Sequence, residues 1–205
     1  MIKRFLKAKH WQLFVLMFGI PIVFQIIMMT AMFANIDADG NPDLSMMFNM
    51  FIIFPIIMIL YTGLFFGWSW SIGNGLKQII PNEFKLSLKK FRIFFFIPLI
   101  YILSLMIFMV TTAFGISSGD NAISGIAGNM FFLVIPLHLF SMFCMFYQLY
   151  FVSKTIKTAE LKRKVTFSDY LGEFFMIWFF PIGIWIIQPK INRLISAEST
   201  KDNTV

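Results

Sequence analysis

The residues best suited to chemistry lie on one predicted membrane helix. His138, Ser141, Cys144 and Gln148 fall within one long apolar run, where residues 141, 144 and 148 recur at helical spacing with residue 138 beside them. This polar intramembrane cluster could line a cavity or contribute ligands to a metal. The alternative is a neutral histidine that donates one hydrogen bond to a neighbouring helix. A metal site needs several clustered ligands, and the other histidine, His10, is distant in sequence. We therefore expect neither a metal nor a cofactor.

A short serine motif is the second candidate. Gly115, Ser117 and Gly119 match the pattern G-x-S-x-G, and Asp120 follows directly. Together with His138, these residues could supply the triad of a membrane-embedded hydrolase. In serine hydrolases, however, this motif connects a strand to a helix. Here a predicted membrane helix precedes it and a Gly/Ser-rich loop follows, so we expect no catalytic residues and no enzymatic activity.

The interiors of the long apolar runs contain no Asp, Glu, Lys or Arg. Ionisable residues are costly in a bilayer and usually mark function there. Their absence argues against a carboxylate proton relay and against an intramembrane aspartyl site. The zinc-protease pattern H-E-x-x-H is also missing.

Four apolar runs are long enough to position these residues across a bilayer, which takes about 20 residues of helix. They span 11–34, 44–72, 91–114 and 130–152. Because they are apolar on all sides, they predict helices and not the alternating strands of a barrel. The composition agrees, since 59% of residues are hydrophobic and 13% are charged. The sequence therefore predicts an all-α fold, a polytopic transmembrane helical bundle that forms a single integral membrane domain.

The distribution of Lys and Arg predicts the orientation of the bundle. Four precede the first run, five lie between the end of the second run and the first residues of the third, and five follow the fourth, whereas the other two connections contain none. Short basic loops remain in the cytoplasm, which predicts a cytoplasmic N-terminus. It also predicts contact between the basic face and anionic lipid headgroups. We expect no nucleic acid partner, because the cations lie between membrane spans.

A fifth apolar segment, 174–187, has only fourteen residues. At 1.5 Å per residue it reaches about 21 Å, short of the roughly 30 Å hydrocarbon core. Pro181 and Gly183 are expected to break it near its middle. Both a re-entrant segment and a short fifth span remain open. The polar tail 196–205 is expected to lack regular structure.

Two features predict contacts between proteins or helices. Gly63, Gly67, Ser71 and Gly75 recur every four residues, a helix-packing stripe that allows close approach of another helix. That helix could belong to the same chain or to another subunit. The loop 166–173 combines charged and aromatic residues, which favours a role in docking a partner.

Three stretches near the C-terminus carry a resemblance. They are TFSDY from Thr166, WFFPIGIW from Trp178 and QPKINR from Gln188. The chain from 154 to 194 resembles small multi-pass bacterial membrane proteins to which no activity is assigned. This resemblance implies a membrane fold and no site residues. The basic N-terminus before the first span is similar to that of ABC exporter permease subunits, which usually have six spans.

Three functional hypotheses follow. The first is a non-enzymatic multi-pass membrane protein that acts through helix and cytoplasmic-loop contacts, as an accessory or assembly subunit with a protein partner or as a homo-oligomer. The alternative is a transporter or permease subunit of the ABC exporter kind, indicated by a proline in every apolar segment and by the broken fifth segment. The third is the membrane-embedded hydrolase. The frequency of Phe, Ile, Lys and Asn indicates an AT-rich bacterial genome and hence the bacterial inner membrane.

Overall fold

The computed structural model describes residues 2–36, 44–117 and 121–202, and every regular element in these ranges is a helix. Within them, side chains are described except for residues 44–53, 113, 116–117, 121–131 and 199–202. The helices are α1 (Ile2–Lys7), α2 (His10–Phe14), α3 (Ile20–Ala34), α4 (Leu44–Gly75), α5 (Leu88–Ser117), α6 (Asn121–Leu161), α7 (Phe167–Trp178) and α8 (Phe180–Asp202). A π-helical turn (Val15–Gly19) joins α2 to α3. Short 3-10 turns (Leu76–Gln78 and Asn82–Phe84) follow α4.

Four helical stretches are long and apolar enough to cross a membrane, namely His10–Ala34, Phe54–Gln78, Leu88–Thr112 and Phe132–Leu161. They overlap the four predicted runs. The predicted all-α transmembrane bundle is therefore confirmed.

The first span contains a local widening beside Pro21. Proline lacks an N–H, and its ring crowds the preceding turn of a helix. The π-helical turn Val15–Gly19 lies immediately before α3, and Pro21 occupies the first turn of α3. The wider turn accommodates the proline, so α2 and α3 continue as one span.

The hydrophobic core lies mainly at one end of the bundle, the end that carries the basic connections; we refer to it as the basic end. Buried side chains there come from α1, from the last turns of α4, from the start of α5, from the last turns of α6 and from α7 and α8. At the opposite ends of the spans, large apolar side chains are mostly exposed, including Ile56, Ile107 and Phe132. No residue of α3 is buried. The chain therefore packs tightly at the basic end and presents apolar surface elsewhere.

The fifth apolar segment forms a hairpin of α7 and α8 with its turn at Phe179. Pro181 lies at the start of α8, where a missing N–H removes no intrahelical hydrogen bond. Gly183 donates its N–H to the carbonyl of Phe179 at 2.9 Å. A Cβ atom on Gly183 would overlap the carbonyl oxygen of Met176, so only glycine fits this crossing. The break lies two residues before Pro181, and both residues predicted to form it belong to α8 instead.

The two arms of this hairpin run back along each other. Glu173 and Lys190, which flank the segment, form an ion pair at 2.6 Å. The chain thus reverses direction between them, which is the geometry of the re-entrant alternative. Helix α8 then continues through Asp202. The expectation of an unstructured tail from residue 196 is therefore wrong up to that point, because the tail extends a helix already anchored in the core.

Candidate functional site at the basic end

The predicted polar cluster of α6 is divided by the fold. Ser141, Cys144 and Gln148 are buried, whereas the His138 side chain is exposed and its Nδ1 lies 3.1 Å from the hydroxyl of Tyr101 on α5. Gln148 is fully buried, and neither its amide oxygen nor its amide nitrogen has a hydrogen-bond partner among the described residues. The four side chains therefore do not converge on one point where a substrate or metal would bind.

The other sequence candidates give no catalytic constellation either. The side chain of Ser117 and the whole of Asp120 lie outside the described residues, so the geometry of the proposed triad is not defined. Among the side chains that the structure describes, no three His, Cys, Asp or Glu residues are grouped as metal ligands.

The small-residue stripe of α4 receives the N-terminal helix. The ring of Phe5 lies 3.0 Å from where a Cβ atom of Gly67 would be, and the side chain of Leu6 occupies the equivalent space at Gly75. Ser71, between them, is buried and donates its hydroxyl to the carbonyl of Gly67 at 2.7 Å. Gly63 differs, since no atom lies within 4 Å of its Cβ position. Most of the stripe thus packs within the chain, against α1.

Helix α1 is amphipathic and lies on the bundle with its apolar side inward. Leu6 is buried, whereas Lys3, Arg4 and Lys7 are exposed. Its charged face therefore remains available while its apolar face fills the stripe, as expected for an interfacial helix.

A buried glutamine of α8 holds α1 in this position. The Nε2 group of Gln188 donates to the carbonyl oxygens of Phe5 at 3.0 Å and Ala8 at 2.9 Å. Its Oε1 accepts from the indole N–H of Trp68 at 2.8 Å. The side chain of Asn192, one turn further along α8, also donates to Ala8 at 3.1 Å. We call this group the Gln188 clamp.

The clamp satisfies polar groups that would otherwise be buried without partners. Gln188 is fully buried and Trp68 is 1% exposed. The Phe5 carbonyl also accepts the backbone N–H of Ala8 at 3.3 Å, whereas the carbonyl of Ala8, just past α1, accepts only side-chain amides among the described residues. A buried polar group without a partner costs about 1–3 kcal/mol. The clamp avoids this cost through hydrogen bonds that connect α1, α4 and α8.

Four charged side chains close a second connection, which we call the charge ring. Lys157 contacts Glu160 at 2.9 Å and Glu173 at 3.2 Å, and Lys190 contacts the same two carboxylates at 2.7 and 2.6 Å. Each lysine therefore has two counter-charges, and the ring has no net charge. The side chain of Glu173 is only 8% exposed. The ring ties α6, α7 and α8 together where the hairpin leaves the core.

The stretch 166–173, which the sequence suggested as a docking loop, forms the N-cap and first turns of α7. Asp169 accepts hydrogen bonds from the backbone N–H of Thr166 at 2.7 Å and from the guanidinium of Arg163 at 2.9 Å. The backbone N–H of Thr166, followed by the Arg163 side chain, lowers the pKa of Asp169 from 3.8 to about 2. Thr166 is the N-cap of α7. The acidic groups of this loop thus have partners within the chain, which weakens its case as a docking surface.

The remaining cations of the basic end form no ion pair within the part of the chain that the structure describes. Every ion pair found among the described residues involves Lys157, Lys162, Arg163 or Lys190. Two groups of cations form none there. They are the four of the N-terminal segment, Lys3, Arg4, Lys7 and Lys9, and the five in the α4–α5 connection and the first turns of α5, Lys77, Lys85, Lys89, Lys90 and Arg92. These groups leave a positive surface around a rigid centre.

Two concave surfaces accompany this arrangement. A cavity of about 360 Å³ lies where the tip of the α7–α8 hairpin meets α4, α5 and α6. Its lining residues are uncharged and mostly apolar, with polar atoms on Tyr61, Thr62 and Trp178. A groove of about 690 Å³ lies beside α1, α2 and α4, with Arg4 and Gln12 among its lining residues. Only the second places a cation beside an apolar surface.

The fold and the basic end define a class, an α-helical protein with four candidate membrane spans and a hairpin packed among them. No protein-family profile matches the chain, and no curated protein or solved structure is significantly similar to it. The clamp and the charge ring were missed by sequence reasoning. One sequence signal for the charge ring was available. Glu173 and Lys190 have opposite charges and lie at similar distances on either side of the predicted break, so a hairpin there would bring them together.

Proposed function

We propose that the protein is a non-enzymatic multi-pass membrane subunit that assembles with another membrane subunit through its first span. The observation that carries this proposal is the contrast between the two halves of that span. Leu13 and Met17 are buried in the core, at 2% and 0% exposure, whereas no residue of α3 is buried. Helix α3 is therefore a firmly anchored apolar arm that packs only sparsely against α4.

The anchor of this arm supports a fixed direction for α3. His10 and Phe14 pack their rings against Trp185 of α8, at centroid distances of 4.7 and 5.4 Å. Phe18 packs against Phe180 in the hairpin turn at 6.1 Å. A helix held in this way loses little further conformational freedom when a partner helix binds, which favours association.

The partner that this surface fits is a transmembrane helix of another subunit. In lipid, helices associate through close packing, and α3 offers small side chains at Thr30 and Ala31 among its branched ones. We further propose that the basic end faces the cytoplasm of a bacterium, since the basic connections follow the positive-inside rule. Anionic headgroups would then neutralise the unpaired cations.

A photocrosslinking amino acid placed in α3 tests the proposal in native membranes. Val23 and Ile27 are 57% and 59% exposed, and Ile107 of α5, at 67%, is a matched control on another span. We expect a discrete protein adduct from the α3 positions and only lipid adducts from Ile107. Adducts with lipid alone at all three positions, together with a strictly monomeric particle in native lipid, would contradict the proposal.

A transporter or permease subunit is the second candidate, and the α7–α8 hairpin favours it. Broken helices often line substrate sites near the middle of the membrane, and this hairpin turn borders the 360 Å³ cavity. The cavity offers no charged group to bind a coupling ion, which places this candidate second. Uptake or efflux by reconstituted vesicles, abolished by Thr62→Leu in the cavity wall, would reverse the order.

A further inference from the structure

The groove beside α1 has a polar end and an apolar end. Arg4, Trp11 and Gln12 line it near the interface, and Val15, Leu16 and Leu64 line it further into the span. The volume of about 690 Å³ is in the range of small-molecule sites. This order of side chains matches an amphiphile that has its head at the membrane surface.

The polar end supplies hydrogen-bond donors and positive charge. The guanidinium of Arg4 is exposed and forms no ion pair or hydrogen bond with the described residues. The Oε1 of Gln12 accepts from the backbone N–H of Lys9 at 2.9 Å, which directs its Nε2 donors elsewhere. No Asp or Glu occurs between residues 2 and 36. Charge complementarity therefore favours an anionic head, and Arg is well suited to phosphate oxygens.

The shape of the groove is fixed before any ligand binds. The Gln188 clamp holds both carbonyls at the end of α1, and Phe5 is seated over Gly67. A preformed site does not lose ordering entropy on binding. The apolar end distinguishes a lipid from inorganic phosphate, because free phosphate would gain nothing from Val15, Leu16 and Leu64.

We propose that this groove binds one anionic phospholipid from the leaflet at the basic end. The phosphate contacts Arg4 and Gln12, and an acyl chain lies along Val15, Leu16 and Leu64. This site does not depend on the proposed assembly through α3. Helix α1 would then contribute to lipid recognition in addition to its structural role.

Native mass spectrometry of the full chain with added phosphatidylglycerol or phosphatidylcholine tests the proposal. The wild type should retain one phosphatidylglycerol in preference to phosphatidylcholine. Arg4→Gln should weaken that binding about tenfold or more, because charge-assisted hydrogen bonds are lost. Arg92→Gln removes an exposed cation that forms no ion pair in the described part of the chain and does not line the groove, and it should change binding by less than about twofold.

A second variant tests the apolar end while all charges remain. Leu16→Trp should fill the groove and abolish phosphatidylglycerol retention. If its melting in lipid-free detergent shows misfolding, the comparison of Arg4→Gln with Arg92→Gln decides alone. Equal losses of phosphatidylglycerol binding in those two variants would show that the lipid responds only to overall surface charge, and would overturn the proposed site. Equal retention of phosphatidylcholine, or displacement of the lipid by inorganic phosphate, would also overturn it.

Discussion

Replacing Gln188 with leucine tests whether one buried amide holds α1 on the bundle. The change removes the acceptor of the Trp68 indole and the donor to the Phe5 carbonyl, whereas Asn192 still donates to Ala8. The Trp68 indole then lacks a partner, at a cost of about 1–3 kcal/mol. The Phe5 carbonyl keeps the backbone N–H of Ala8 at 3.3 Å, so we expect a total loss of about 1–3 kcal/mol. This corresponds to about a fivefold to 150-fold increase in the open population of α1.

Amide hydrogen exchange over residues 2–14 in lipid nanodiscs measures that population, because protected amides exchange through local opening. Gln188→Leu should accelerate exchange in this segment more than in α6. Gln148→Leu is the matched control. It replaces a fully buried glutamine that lacks partners in the described part of the chain, so exchange should stay equal or become slower. Gln188→Glu keeps the acceptor for Trp68 but turns a carboxylate towards carbonyls, and it should open α1 as well. Unchanged exchange in Gln188→Leu, or equal acceleration in Gln148→Leu, would refute the reasoning.

Three further predictions concern the hairpin. Gly183→Ala should lower the free energy of unfolding by about 1–3 kcal/mol or more, seen as a lower melting temperature, because the new Cβ would overlap backbone atoms. Gly172→Ala is the control: the space around Gly172 is open, so this change should raise the free energy of unfolding by up to about 1 kcal/mol. Glu173→Gln should cost about 2–3 kcal/mol in thermal or denaturant unfolding, because two half-buried lysines each lose a counter-charge. Glu198→Gln, in an exposed pair, should cost about 0–1 kcal/mol, and similar losses in both would contradict the buried role of the ring. The pKa of Asp169 is about 2, below its ordinary 3.8, so its contribution to stability is complete above the ordinary value and is lost as pH falls towards 2. The melting temperature of the wild type should therefore exceed that of Asp169→Asn at neutral pH and converge with it in acid, and a constant difference would contradict this.

The spans were predictable because their signal is local. A run of about 20 apolar residues in a bilayer has no alternative to a helix, so 11–34 and 91–114 could be assigned from composition and length. An interruption of the fifth segment was predictable from its proline and glycine, but its position was not. The turn falls at Phe179, and Pro181 and Gly183 lie within α8, because proline is well accommodated in the first turn of a helix.

The ties of the basic end were not predictable, because their partners are distant in sequence. Gln188 and Trp68 are 120 residues apart, and nothing in either neighbourhood indicates the other. Gln148 is equally buried and has no partner among the described residues, so a glutamine in an apolar run does not by itself predict a tie. The small-residue stripe predicted close packing of another helix, and α1 lies against Gly67 and Gly75 but not against Gly63. The sequence did not show that the packed helix is α1.

The Gln188 clamp also orders events during biosynthesis. The carbonyl of Phe5 and the amide of Gln188 are separated by 183 residues, so α1 is synthesised long before the glutamine that binds it. Contacts of such long sequence separation form late, since they require closure of a long loop. Until α8 is synthesised, α1 can occupy only the α4 stripe, without the hydrogen bonds of the clamp. Closure of the clamp therefore requires that α8 has been completed and folded back onto α1.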